Sequence, residues 1–114
     1  MTLNTYRLAE SAEVTLDADG NGSVKLGPTI PSVTWQVETL SVSTSTNNRI
    51  PRAYVYEGTE SPGNLLGGTE NGSRDAMGPS VRLETSAYIT VVWRGGDNGA
   101  RASVAVTGTR TAGM

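Results

Sequence analysis

Apolar side chains recur at every second position along much of this chain, in short runs broken by glycine, proline, asparagine or aspartate. A period of two marks extended strands with one buried face, because successive side chains point to opposite sides. In the longest run, Val33 to Ser45, Val33, Trp35 and Val37 share one parity while Leu40 and Val42 share the other. A bulge between Glu38 and Leu40 would bring both sets to the same face. In Arg52 to Glu57, Tyr54 and Tyr56 take one face and Ala53 and Val55 the other. Ile89, Val91 and Trp93 alternate within Ala87 to Arg94, and Ala100, Ala102, Val104 and Val106 within Ala100 to Thr107.

Two segments carry the glycine, asparagine and aspartate of tight reversals: Ala18-Asp19-Gly20-Asn21-Gly22 and Gly95-Gly96-Asp97-Asn98-Gly99. They predict two hairpins, one joining Glu13–Asp17 to Ser23–Leu26 and one joining Ala87–Arg94 to Ala100–Thr107. The one helical candidate, Leu8 to Val14, is too short to stand alone. Thr59 to Ser80 is rich in glycine, serine, asparagine and proline and holds only short edge segments, such as Asn64–Leu66 and Arg74–Met77.

Seven to eight strands with turn signals between them predict an all-β fold, an antiparallel β-sandwich or jelly roll. The expected layout is an N-terminal arm over residues 1–12, one sandwich domain over 13–110 and a short tail over 111–114. The expected core is Val14, Leu16, Val24, Leu26, Trp35, Val37, Leu40, Val42, Val55, Leu83, Ile89, Val91, Trp93, Val104 and Val106. Phenylalanine is absent, so Trp35 and Trp93 must fill most of the interior.

Composition narrows the chemistry. The 114 residues include 26 serines and threonines, so the surface is made polar by hydroxyls more than by charge. Without cysteine or histidine, the chain itself supplies no disulfide, thiolate zinc site or histidine-dependent triad. Basic and acidic residues, nine and eleven, are well mixed, so no basic stripe points to nucleic acid. No apolar run approaches the length of a membrane helix, and Met1 to Glu10 lacks the apolar segment of a signal peptide. Asp17, Asp19 and Asn21 match the first half of a calcium loop, but Lys25 and Pro28 stand where later ligands belong. An acidic turn is the plainer reading, and no metal or other cofactor is expected. Glu57 with Glu60, and Glu70 with Asp75, could be read as glycosidase carboxylates, but they lie in loops without apolar neighbours to perturb them. No enzymatic activity is expected. Tyr54, Tyr56, Tyr88 and Trp35 could form a platform for a surface glycan, with Tyr54 and Tyr56 on a shared face. Asn21 and Asn71 begin formal glycosylation sequences.

The second half resembles a group of small all-β virion proteins of tailed actinobacterial phages. The resembling stretches are Ala53-Tyr54-Val55-Tyr56-Glu57-Gly58, Ser61-Pro62-Gly63-Asn64-Leu65-Leu66-Gly67-Gly68-Thr69 with Gly72-Ser73, and Val92-Trp93-Arg94-Gly95-Gly96-Asp97-Asn98-Gly99-Ala100 running to Val106-Thr107-Gly108-Thr109-Arg110. Val33-Thr34-Trp35-Gln36-Val37 also fits. The resemblance implies a non-enzymatic structural protein of the virion, folded in the host cytoplasm. It would act as capsid decoration on the major capsid protein or as a tail component, and no catalytic residues carry over. A homo-oligomer is expected, with neither nucleic acid nor membrane as partner. A tail-associated, carbohydrate-binding adhesion module is the alternative. The expected contacts are Tyr6 and Leu8 in a segment thought to lack a strand partner, Tyr54 and Tyr56, and Leu65 and Leu66 in the long loop.

Overall fold

A computed structural model describes residues 3–46 and 48–113. Among them are nine strands: β1 (Leu3–Thr15), β2 (Gly22–Leu26), β3 (Val33–Thr44), β4 (Arg52–Glu57), β5 (Leu65–Thr69), β6 (Arg74–Met77), β7 (Val81–Leu83), β8 (Ile89–Arg94) and β9 (Arg101–Gly113). One 3-10 turn, Pro62–Asn64, precedes β5. Every pairing is antiparallel. The strands form two sheets, β1-β9-β3-β6 with β7 also on β3, and β2-β8-β4-β5. The first strand thus pairs with the last, the second with the eighth, the third with the sixth and seventh, and the fourth with the fifth. This is the winding of a jelly roll, in which one long antiparallel ribbon folds over into two layers. The expected sandwich or jelly roll is therefore present. Its strands number nine because the edge beside β3 is split into β6 and β7.

The split and the bulge in β3 occur together. The β3–β9 register slips between Val37 and Thr39, which leaves Glu38 unpaired, as the parity switch requires. Val33, Trp35, Val37, Leu40 and Val42 consequently all face inward and are buried. Gly108 lies opposite the slip, where a Cβ would stand 2.0 Å from the Gln36 carbonyl oxygen, so no other residue fits. Gly78, in the break between β6 and β7, lies against the Glu38 carbonyl.

Neither expected hairpin forms. β1 pairs with β9 while β2 pairs with β8, so each glycine-bearing reversal carries the chain from one sheet to the other. The two crossings run side by side. Gly96 N donates to Gly20 O at 2.9 Å, Gly95 N donates to Asn21 Oδ1 at 3.0 Å, and Leu16 N donates to Ala100 O at 2.8 Å. Gly20 has φ +77°, and a Cβ there would lie 1.9 Å from the Gly96 carbonyl oxygen, so the loops meet backbone to backbone.

The N-terminal arm is also corrected. Residues 3–15 form one strand paired with β9 over its whole length, and residues 111–113 of the tail expected over 111–114 extend β9; residues 1, 2 and 114 lie outside the described residues. Leu8 is fully buried in the core. Of the expected core, Val14 and Val24 are partly exposed and the rest are buried; Leu8, Val33, Ala53, Val81, Ala100 and Ala102 join them. β8, central in its sheet, is covered on both faces, and even Val92 is buried. Trp93 fills the interior, its indole N–H donating to Gly72 O at 3.1 Å.

Candidate partner-binding face

Strand parity decides where the side chains singled out in the sequence go. Ala53 and Val55 of β4 turn into the core, so Tyr54 and Tyr56 stand on the outer face of the second sheet. β4 pairs with β8 and β5, which sets Tyr54 beside Val92 and Gly68 and Tyr56 beside Thr90 and Leu65. The Tyr54 ring packs over Gly68, where an added Cβ would meet its Cδ1 at 2.9 Å. The glycine is thus the gap into which the tyrosine settles. Leu65 is 50% exposed, and its neighbour Leu66 packs against the core instead. Arg52, Tyr54, Leu65, Gly68, Thr69 and Glu70 line an open depression of about 420 Å3. An apolar and aromatic strip therefore lies on this face, while Tyr6, Ile30 and Ile50 are large apolar side chains exposed elsewhere among the described residues.

The rim is charged. Arg94 Nη2 donates to Glu60 Oε2 at 2.6 Å, and this carboxylate holds the guanidinium more firmly protonated than usual. Half-exposed, the pair has little net effect on stability but fixes the loop before β5 at the edge of the strip. Thr90 Oγ1 donates to Gly58 O at 2.6 Å and anchors the end of β4 from below.

The other sequence candidates lie elsewhere. Tyr6, 49% exposed, is on β1 beside Arg110, whose guanidinium stands 5.7 Å from its ring centre. Leu8 has no exposed surface, so the partner contact expected of it is replaced by a core role. Asp17 Oδ1 accepts from the amides of Asp19 and Asn21, at 2.9 and 3.0 Å, and Asn21 Oδ1 accepts from Gly95. These oxygens close the turn and tie it to the neighbouring crossing. Among the described residues no three acidic side chains gather into a metal-binding group. The paired acids have structural partners: Glu60 holds Arg94, and Asp75 accepts from the Thr69 hydroxyl and the Ala76 amide, which lowers its pKa.

The sequence reading passed over Asp97. Its Oδ2 accepts from Thr46 Oγ1 at 2.8 Å and Asn48 N at 2.9 Å, and its Oδ1 from Arg49 N at 3.0 Å. It ties the β3–β4 connection to the β8–β9 crossing. In the sequence it is simply the aspartate of a turn, and its acceptors' partners lie about fifty positions away.

The class defined by this fold is a two-layer antiparallel jelly roll with an apolar strip on one outer face. No family model and no curated protein matches the chain. Among solved structures it is similar to the Drosophila NLP core, described for that protein's pentamer formation and histone binding, at 14% identity, over 88% of this chain and 98% of that one, with a TM-score of 0.40. It is also similar to a chain of infectious bursal disease virus Gx strain, at 14% identity, over 96% of this chain and 31% of that one, with a TM-score of 0.38. No helix among the described residues is long and apolar enough to cross a membrane.

Proposed function

We propose that this protein is a non-enzymatic structural protein of a phage virion, a decoration protein that docks on the assembled capsid through the outer face of the β2-β8-β4-β5 sheet. The observation that carries this reading is the gathering of Tyr54, Tyr56 and Leu65 on that face, since aromatic and aliphatic anchors on an exposed sheet face mark protein-binding surfaces. The resemblance to small phage virion proteins supports it and runs through the same residues, Ala53–Gly58 and Ser61–Thr69. Binding asks only for a stable surface, and the interior is fully satisfied: among the described residues every buried side-chain nitrogen and oxygen has a hydrogen-bond partner. The protein folds in the host cytoplasm, joins the particle in multiple copies and partners with the major capsid protein.

The test is to incubate purified undecorated particles with the protein and count bound copies. Wild-type chain should saturate the particle, while Tyr54→Ser and Leu65→Ser, folded by circular dichroism, should lose most of the occupancy. Occupancy unchanged by both substitutions overturns the assignment of the face, and absence of wild-type binding overturns the capsid reading.

Tyr54, with Arg52, Thr69 and Glu70 around the depression and Tyr56 further along the same strand face, also suits stacking and hydrogen bonding to a sugar ring, as in a tail-borne adhesion module. Glycan-array binding abolished by Tyr54→Ala, with no particle binding, would favour that reading.

A further inference from the structure

A sheet edge is a row of unpaired N–H and C=O groups, and folded proteins keep such edges short, bulged or covered. Three of the four edges here obey that rule. β2 and β5 have five residues each, β5 is irregular against β4, and the edge beside β3 is divided into β6 and β7 of four and three residues. β1 does not. It extends over thirteen residues, pairs with β9 on one side and, among the described residues, pairs with no strand on the other.

We propose that this edge pairs antiparallel with the β1 edge of a second copy, with the two-fold axis at Glu10. The proposal takes up the homo-oligomer part of the reading above and is independent of the capsid part. The sequence of β1 is complementary to its own reverse in that register. Arg7 falls opposite Glu13 of the partner subunit, Thr5 opposite Thr15, Tyr6 opposite Val14, Leu8 opposite Ala12 and Ala9 opposite Ser11, and the symmetry makes each pair twice. Opposite charges, matched threonines and an aromatic against a β-branched side chain are the cross-strand pairs that stabilise sheets. Moving the axis to Ala9 or Ser11 sets Arg7 against Ser11 or Thr15 and loses the direct ion pair. Glu13 already stands 4.0 Å from Arg101 on its β9 side and remains more than half exposed, so its other side is open to a second arginine. The one opposed pair is Glu10 with itself. Its carboxylate occupies an inward-facing position on the strand, a device that restrains edge pairing, and it makes the association weak and reversible.

Sedimentation velocity of the full chain over a concentration series tests this. Wild type should self-associate to a dimer, Glu10→Gln should tighten it, and Arg7→Glu should weaken it by roughly tenfold or more, the loss of two pairs worth up to about 1 kcal/mol each. Arg7→Glu with Glu13→Arg should recover most of the loss. Hydrogen exchange should show the β1 amides that do not face β9 becoming protected as dimer forms. A monomer at all concentrations for both wild type and Glu10→Gln overturns the proposal, as does a dimer indifferent to Arg7→Glu or one that leaves those amides unprotected. Either failure leaves particle binding through Tyr54 and Leu65 standing, since that is measured on another face.

Discussion

Trp93 concentrates the molecule's stability in one side chain. It is the largest fully buried residue, it lies on the central strand β8, and its N–H satisfies the Gly72 carbonyl in the turn between β5 and β6. Trp93→Ala should cost about 3–5 kcal/mol, the range for emptying a large aromatic site in a core. Trp93→Phe, which keeps most of the apolar contact but leaves that carbonyl without its donor, should cost about 1–3 kcal/mol. Urea denaturation of the three chains, compared at constant slope, measures both. Equal stability of the Phe variant and wild type would show that the hydrogen bond carries nothing. At this scale alternation was a sound guide: Trp35, Trp93 and the inward side of β3 were legible from parity alone, bulge included. So was the shared outer face of Tyr54 and Tyr56, because Ala53 and Val55 had to point inward. Leu8 was misplaced because Glu10 and Asn4 interrupt the alternation that Tyr6, Leu8, Ala12, Val14 and Leu16 otherwise keep.

The same interruption hid an element. An arm over residues 1–12 followed by a strand from Glu13 divides β1 into two pieces, although Leu3–Thr15 contains neither glycine nor proline to break it. A deletion of residues 1–10 would have been a clean test of an arm. In this fold it removes Leu8 from the core and strips β9 of most of its partner on one side. The truncated chain should therefore lose its cooperative thermal transition instead of merely losing particle binding, and differential scanning calorimetry distinguishes the two outcomes. A sharp transition near the wild-type temperature would show that β1 is dispensable. The hairpins failed for a different reason. A glycine-bearing turn specifies that the chain reverses, but whether the returning strand pairs with its predecessor or crosses to the opposite sheet depends on the strands waiting there. For β2 that strand is β8, and for β9 it is β1 with β3. Those contacts join residues up to 110 positions apart, as Leu3 with Gly113, and no local pattern encodes them.

In the whole molecule the sheets must be held at their edges as well as through the core, and two carboxylates act there: Asp75 ties one layer to the other, and Glu84 ties β3 to the end of β7 within one layer. Asp75 of β6, in one sheet, accepts the hydroxyl of Thr69 of β5, in the other, and also the Ala76 amide; both lower its pKa below the usual aspartate value. Glu84, just after β7, accepts the Thr34 hydroxyl of β3 at 3.0 Å and is paired with Arg82, and its pKa is lowered for those reasons in that order. A carboxylate whose folded pKa lies below its unfolded value binds fewer protons in the native state. Its contribution is therefore complete above the unfolded pKa and disappears as pH falls through the folded one. For this pair the loss begins near pH 4 and continues below it, with nothing expected between pH 6 and 8. Both groups are fully exposed to solvent, so the effect is a modest slope, salt-sensitive at Glu84, where an arginine contributes. Thermal midpoints of wild type, Asp75→Asn and Glu84→Gln, measured at pH 3 and pH 6, isolate it from the other acids. Each variant should show a smaller drop between the two pH values than wild type, and the difference between wild type and Asp75→Asn should not change with added salt, because the partners of Asp75 are a hydroxyl and an amide. Parallel curves for all three chains would mean that neither the Asp75 link between the layers nor the Glu84 link between β3 and β7 contributes to stability, and that the core alone holds the sheets.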